Sequence, residues 1–141
     1  MASEAEIFER IFLLTRDFER TFRDQGDQSL STTQFQALAI LRDDAPITAM
    51  DMAMRLKIAG PTATRTLDSL GRRELVLKER DPQDRRVVWL HLTETGVRAW
   101  EMERERQQEW VGHLIRDLNV EERQQFVDLL DKLIPGAAPF A

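Results

Sequence analysis

Two strand-like runs that flank a charged turn place the strongest constraint on how this chain folds. The first run, 75–80, passes from apolar to charged residues, and the second, 87–92, is rich in β-branched and aromatic residues. Asp81 and Pro82 suit the start of a tight turn, because proline presets φ and aspartate can accept hydrogen bonds from turn amides. A helical pattern begins at Thr93. The segment therefore predicts a β-hairpin with a charged tip, followed by a helix.

Two short helices are predicted upstream of the hairpin. Ser31 and Gln34 have the spacing of a capping box, and Thr48 is positioned to cap a second helix. Apolar residues recur at helical spacing after each cap: Phe35, Leu38 and Leu41 in the first helix, then Met52, Ala53 and Leu56 in the second. Two short helices joined tightly predict a helix-turn-helix.

A third helix is expected from the Gly60–Pro61 pair to about Arg72, because proline is favoured at the first helical position. One side of it is apolar and carries Ala63, Leu67 and Leu70, and another is polar and carries Thr62, Arg65, Thr66 and Ser69. Small polar residues with one arginine suit insertion into a DNA major groove, where arginine can grip guanine bidentately. The alternative is an ordinary amphipathic surface helix.

The hairpin carries a family motif. Its order, Asp84-x-Arg86, five residues, then Leu92 and Thr93, resembles the wing of the MarR family of winged-helix transcriptional regulators. The resemblance implies that Arg86 enters the DNA minor groove and that Asp84 braces it by a salt bridge. Arg85, the second arginine at the hairpin tip, is also expected to contact DNA. A solvated hairpin tip is the alternative reading.

The resemblance extends to 62–65, where the family places its recognition residues, so Thr64 joins the expected DNA contacts. Two positions depart from the family pattern. Glu74 stands where the family usually has a left-handed glycine, and Ser69 stands where many members have a basic residue. Either Glu74 adopts a costly conformation or the helix ends differently, using Gly71.

The sequence near each end of the chain predicts a helix whose apolar face can pack against a partner. Ser3 and Glu6 form a capping box ahead of an apolar stripe of Ile7, Ile11, Leu14, Phe18 and Phe22, widened by Phe8 and Phe12. Near the other end, Asn119 and Glu122 cap a helix that bears Phe126, Leu129, Leu130, Leu133 and Ile134 and is ended by 135–136. We expect these helices to form a dimer interface, with a monomeric helical subdomain as the alternative.

One long helix is predicted between them, from Thr93 to about Leu118. Its middle, 101–109, is charged, so we expect it to cross solvent between a DNA-binding lobe and a dimerisation lobe. The 141 residues, 42% hydrophobic and 32% charged, suit one compact domain that is mainly α with a small β-hairpin wing, an α+β fold. The expected organisation is a single MarR-like domain (1–141), with a winged helix-turn-helix lobe (31–92) and dimerisation helices (3–24 and 97–134).

Charge is distributed unevenly along the chain. The net charge is −5, yet residues 55–86 contain nine basic and five acidic residues, a local +4, which leaves −9 for the remainder. A positively charged DNA-binding segment in an otherwise acidic protein confines DNA contact to one face of the molecule.

Several function classes are excluded or disfavoured. With no cysteine there is no thiol redox switch or thiolate metal site, and His91 and His113 are the only histidines, so neither a metal nor another cofactor is expected. No nucleophile–base constellation or phosphate loop points to an enzyme. The chain lacks a basic leader with an apolar run, which makes the cytoplasm the expected location.

The sequence therefore predicts a homodimeric repressor of transcription that binds double-stranded DNA at a pseudo-palindromic operator, with half-sites about 10 bp apart. The resemblance implies release by a small aromatic or phenolic effector, although the aromatic residues also suit an ordinary core. The rival hypothesis, motivated by the acidic total and by Glu74, is a winged-helix protein-interaction module without DNA readout.

Overall fold

The computed structural model describes residues 1–23 and 29–134, and within them the chain forms six helices and three strands. In chain order these are α1 (Glu4–Arg23), α2 (Thr32–Asp44), β1 (Ile47–Thr48), α3 (Ala49–Leu56), α4 (Gly60–Arg72), β2 (Val76–Arg80), β3 (Val88–Leu92), α5 (Glu94–Leu114) and α6 (Val120–Leu133). The mainly helical fold with a small antiparallel sheet is confirmed. The predicted helix stop at 135–136 and residue 24 of the first dimerisation helix lie outside the described residues.

The sheet has three strands in the order β1-β3-β2, all antiparallel. The hairpin of β2 and β3 was predicted, whereas β1 was not. Only two residues long, β1 places Ile47 opposite Leu90, and both side chains are buried. A strand this short has no alternating pattern of its own, so its pairing depends on the tertiary packing of Ile47.

The core lies between the helices α2, α3 and α4 and the sheet. Its largest fully buried side chains come from each of these elements and are Leu38, Leu41, Met52, Leu70 and Leu90. Phe35 stacks on Trp100 of α5 with ring centroids 5.9 Å apart, which brings the start of the long helix onto the same core. The apolar stripes predicted for α2 and α4 are therefore the buried ones.

Helix starts follow the predicted caps with one exception. Ser31 with Gln34, and Asn119 with Glu122, both form complete capping boxes. Ser3 and Glu6 exchange the same pair of hydrogen bonds, at 2.9 and 3.2 Å. The exception is α4, which has Ala59 as its cap residue with no side-chain hydrogen bond, so that Gly60 is already helical.

The long helix α5 corrects two expectations. It ends at Leu114 rather than near Leu118, since Ile115 leaves helical geometry and residues 115–118 form a turn. Its middle is also not exposed on all sides. Glu103 is 5% exposed and follows Gly96 and Trp100 at helical spacing on the buried side of α5. The expectation of an exposed middle was wrong because the buried face of α5 continues through a carboxylate, which a search for apolar residues at helical spacing does not detect.

Glu74 adopts the first of the two conformations considered for it. Its φ is 59°, in the left-handed region, while Gly71 lies inside α4. The Thr93 hydroxyl donates to the carbonyl oxygens of Glu74 and Leu75, at 2.7 and 3.0 Å, and so ties this junction to the start of α5. A Cβ on Gly96 would collide with the Leu75 carbonyl oxygen, which explains a glycine where α5 meets the junction.

The terminal helices bury none of their residues. Phe18 and Phe22 of α1 meet the ring of Trp110 edge-on, with centroid distances of 5.2 and 6.3 Å, and Trp110 Nε1 donates to Asp17 at 2.9 Å. These contacts attach α1 to the far end of α5. Large apolar side chains elsewhere on α1 and on α6 remain exposed. No helix in the described ranges is long and apolar enough to cross a membrane.

Candidate nucleic-acid interface

Helix α4 presents part of its polar side to solvent. Thr62, Thr64 and Arg65 are exposed, whereas Thr66 and Ser69 are half-buried. The Thr66 hydroxyl donates to the Thr62 carbonyl oxygen at 3.0 Å, and the Ser69 hydroxyl accepts from Gln34 Nε2 at 3.1 Å. Of the five α4 residues expected to contact DNA, the structure thus leaves three exposed and gives two a partner within the protein.

At the hairpin tip, Asp84 and Arg86 form the ion pair that the family resemblance implied. Arg86 donates from Nε and Nη2 to the two Asp84 carboxylate oxygens at 3.1 and 3.2 Å, and its backbone amide donates to the same carboxylate at 3.1 Å. The arginine side chain is nevertheless 90% exposed. These hydrogen bonds from Arg86 hold the pKa of Asp84 below its ordinary value, so the brace stays charged at neutral pH.

A second carboxylate organises the same loop. Asp81 accepts from the amides of Gln83 and Asp84 at 2.8 and 2.9 Å, as the turn chemistry predicted. Its other oxygen accepts from Trp89 Nε1 at 3.0 Å, and this bond, followed by the two amide bonds, lowers the pKa of Asp81. Sequence reasoning missed Trp89, although the signal was present as an indole placed on the strand that returns from the turn.

The hairpin is also tied to α4. Lys78 of β2 hydrogen-bonds and ion-pairs with Asp68 of α4, which lowers the pKa of Asp68. Arg80 Nη1 donates to the Arg85 carbonyl oxygen at 2.8 Å and so braces the outgoing side of the loop. Sequence reasoning counted Lys78 and Arg80 only as positive charge. Their partners lie on another element or across the turn, so spacing along the chain gave no sign of these contacts.

Two groups of exposed arginines lie in the winged part of the molecule, one on α4 and one at the hairpin tip. Arg65 represents the first, and Arg85 and Arg86 represent the second. Arg55, by contrast, is engaged within the lobe, because it pairs with Asp44 at 2.6 Å and with Asp51 at 3.5 Å. The exposed cations on α4 and the hairpin are accessible to a polyanion.

A separate cavity of about 660 Å³ lies between α1, α2 and α5. Four aromatic rings line it, from Phe18, Phe22, Phe35 and Trp110, along with the polar residues Glu19, Arg23, Ser31, Thr32, Glu103 and Gln107. Burial raises the pKa of Glu103, an effect that Arg106 Nη1 partly offsets by pairing with its carboxylate at 2.9 Å. No cluster of three or more metal-ligating side chains occurs in 1–23 or 29–134. Aromatic rings with a few polar groups beside them are typical of a site for a small organic molecule.

The helices α2 to α4 followed by the β2–β3 hairpin define a winged helix-turn-helix protein. A family model described as MarR family matches residues 30–88. Two relatives described as uncharacterised HTH-type transcriptional regulators match more of the chain. YsmB of Bacillus subtilis strain 168 is 30% identical over 105 residues, 74% of this chain and 72% of the relative. ML2140 of Mycobacterium leprae strain TN is 28% identical over 136 residues, 94% and 95% of the two chains.

Solved structures share the fold. A MarR mutant from E. coli, complexed with operator DNA, has a TM-score of 0.70 and 24% identity over 92% of this chain and 94% of its own. Bordetella bronchiseptica BpsR, whose DNA binding is described as regulated by 6-hydroxynicotinic acid, has a TM-score of 0.65 and 28% identity over 89% and 98%. The chain belongs to the MarR family of transcriptional regulators. Family membership agrees with the expectation of a regulator rather than an enzyme.

Proposed function

We propose that this protein is a homodimeric repressor that binds a pseudo-palindromic double-stranded operator. In this proposal α4 enters the major groove through Thr62, Thr64 and Arg65, with Thr66 and Ser69 at its edge, while Arg85 and Arg86 reach the flanking minor groove. The observation that carries the proposal is the geometry of Arg86, which is bonded to Asp84 through three donors yet 90% exposed. An arginine oriented in this way is suited to the narrow, negative minor groove.

The proposed dimer uses residues 3–24 and 97–134, and the DNA-binding lobe spans 31–92 of a single domain. Exposed apolar side chains on α1 and α6 support it. Ile7, Phe8, Ile11 and Phe12 on α1 are 49–66% exposed, and Leu129 and Leu133 on α6 are 59% and 73% exposed. Soluble monomers rarely leave so many large apolar side chains uncovered on their helices, and a second copy of the chain offers the same side chains in return.

DNA selection followed by titration tests the proposed function. Purified protein is used to select bound duplexes from a random pool, and the enriched site is titrated across salt concentrations with wild type, Arg86→Ala and Arg65→Ala. We expect a near-palindrome, a steep salt dependence and, for Arg86→Ala, an affinity loss of about tenfold or more. Arg65→Ala is expected to weaken binding and to relax base preference at one position in each half-site.

Arg116→Ala is the control for the loss of one positive charge, since Arg116 is also an exposed arginine (74%) but lies outside the proposed DNA-binding lobe. Light scattering of this variant checks that its subunit mass equals that of wild type. Wild-type affinity in both the Arg86 and Arg65 variants would reject the proposed contacts. No enriched sequence together with a salt-insensitive protein partner would instead favour the protein-interaction module.

We further propose that a small aromatic or phenolic acid releases the protein from DNA by binding the cavity between α1, α2 and α5. The four aromatic rings of the cavity and its polar residues support this ligand class.

A titration with 6-hydroxynicotinate and 4-hydroxybenzoate, in which DNA release is measured, tests the proposed effector site. Val111→Trp fills the cavity edge and is expected to abolish release. Leu77→Trp on β2 is the control, since Leu77 is 57% exposed and lies outside both the cavity and the proposed dimer helices. A ligand response that survives Val111→Trp would place the effector elsewhere.

A further inference from the structure

The loop between β2 and β3 is held by a chain of hydrogen bonds that begins at an indole. Trp89 on β3 donates to one oxygen of the Asp81 carboxylate at 3.0 Å. The other oxygen accepts from the Gln83 and Asp84 amides at 2.8 and 2.9 Å. A single carboxylate thus connects a strand side chain to the loop backbone.

The chain continues to Arg86. Asp84, whose amide is held by Asp81, accepts three hydrogen bonds from Arg86 at 3.1, 3.1 and 3.2 Å. Two backbone bonds close the loop around it, from the Asp81 amide to the Val87 carbonyl at 2.9 Å and from the Val87 amide to the Asp84 carbonyl at 3.0 Å. The order of contacts is therefore Trp89 to Asp81 to Asp84 to Arg86.

We propose that Trp89 and Asp81 are positioning residues for Arg86, which fix the loop before DNA arrives; this inference rests on the proposed DNA-binding function. Neither residue needs to touch DNA. Their contribution is to order the loop in the free protein, so that less conformational freedom is lost when the arginine binds. The wing brace known from the motif, Asp84, is on this account itself held in place by Asp81.

Charge supports the same assignment. The indole and the two amides lower the pKa of Asp81, so its carboxylate remains ionised and accepting at neutral pH. Trp89 and Asp81 are both half-buried, in contrast to the nearly fully exposed Arg86 side chain. The indole–carboxylate contact is therefore partly shielded from competing water, while the arginine remains accessible.

A double-mutant cycle on DNA affinity tests the proposal with the full-length protein and its selected operator. Trp89→Phe keeps a ring but removes the donor, and it is measured alone and combined with Arg86→Ala. We expect Trp89→Phe alone to weaken binding about two- to tenfold, and to have little further effect once Arg86 is absent. Asp81→Asn, which keeps an amide-accepting oxygen but replaces the other with a donor, is expected to fall in the same range.

His91→Gln is the control, because His91 lies two residues further along β3 and pairs with Glu79 instead of the loop. An equal loss from Trp89→Phe in the wild-type and Arg86→Ala backgrounds would overturn the proposal, as would wild-type affinity in both Trp89→Phe and Asp81→Asn. If Trp89→Phe fails to fold, the same cycle is run with Asp81→Asn. If Arg86→Ala binds normally, the wing contact of the proposed function fails, which is a distinct result that also overturns this inference.

Discussion

Glu74 occupies the junction between α4 and β2 with a left-handed backbone, at a φ of 59°. In this region a residue with a Cβ is destabilised by steric contact with its own backbone, whereas glycine is not. The Thr93 hydroxyl, which donates to the Glu74 carbonyl oxygen at 2.7 Å, helps to hold this conformation. The position therefore stores strain that tertiary contacts compensate.

Glu74→Gly is expected to raise the free energy of unfolding by about 0.5–1 kcal/mol, since relief of the left-handed strain exceeds the greater freedom of glycine in the unfolded chain. Chemical denaturation of wild type and variant provides the measurement. Glu74→Ala retains the Cβ and serves as the control, with little expected change. A destabilised glycine variant would show that the Glu74 side chain contributes more than its backbone strain costs.

At the scale of elements, α5 packs its first half on the DNA-binding lobe through a face that contains a carboxylate. Glu103 is 5% exposed, and burial raises its pKa despite the ion pair with Arg106. A carboxyl group whose pKa is raised in the folded state contributes to stability in full when the pH is below the pKa that the group has in the unfolded chain. That contribution is lost as the pH rises through the folded-state pKa.

Glu103→Gln is accordingly expected to gain in melting temperature over wild type as the pH rises from 4 to neutrality. The variant remains neutral throughout, whereas wild type must ionise a buried group. Thermal unfolding of both proteins at a series of pH values measures the difference. The exposed neighbour Glu105 supplies the control variant, Glu105→Gln. Parallel curves for Glu103→Gln and wild type would mean that Glu103 does not titrate differently in the folded state.

The elements also show what sequence could and could not predict. Helix caps, apolar spacing and the Gly60–Pro61 pair predicted the helices α2, α3 and α4, and turn residues between β-rich runs predicted the hairpin, because these signals are local. Several features escaped prediction, among them strand β1, the burial of Glu103 and the Trp89–Asp81 hydrogen bond. Each depends on a partner brought close only by the fold. The DNA contacts remain predictions, since spacing and burial describe which residues are available and not which bases they meet.

At the scale of the whole molecule, the exposed apolar surface of α1 and α6 argues for a second subunit. The chain has a mass of 16.4 kDa, and we expect light scattering during size-exclusion chromatography to give twice that mass. Leu129→Asp is expected to shift the mass toward the monomer, because it buries a charge in the proposed interface. Leu77→Asp is the matched control, since Leu77 on β2 is 57% exposed and Leu129 is 59% exposed. A dimer unaffected by Leu129→Asp would exclude α6 from the interface.

The length of α5 has a consequence for how such a molecule responds to small changes. Its 21 residues span about 31 Å at the rise of an α-helix. Its first turns are fixed to the DNA-binding lobe through Trp100, and its far end contacts α1 through Trp110. A tilt of about 10° over that length moves one end by roughly 5 Å relative to the other, more than one base-pair step of DNA. If the proposed function holds, a slight repacking of the aromatic rings at the far end of α5 is expected to displace the two DNA-binding lobes by more than one base-pair step and so to release the double helix.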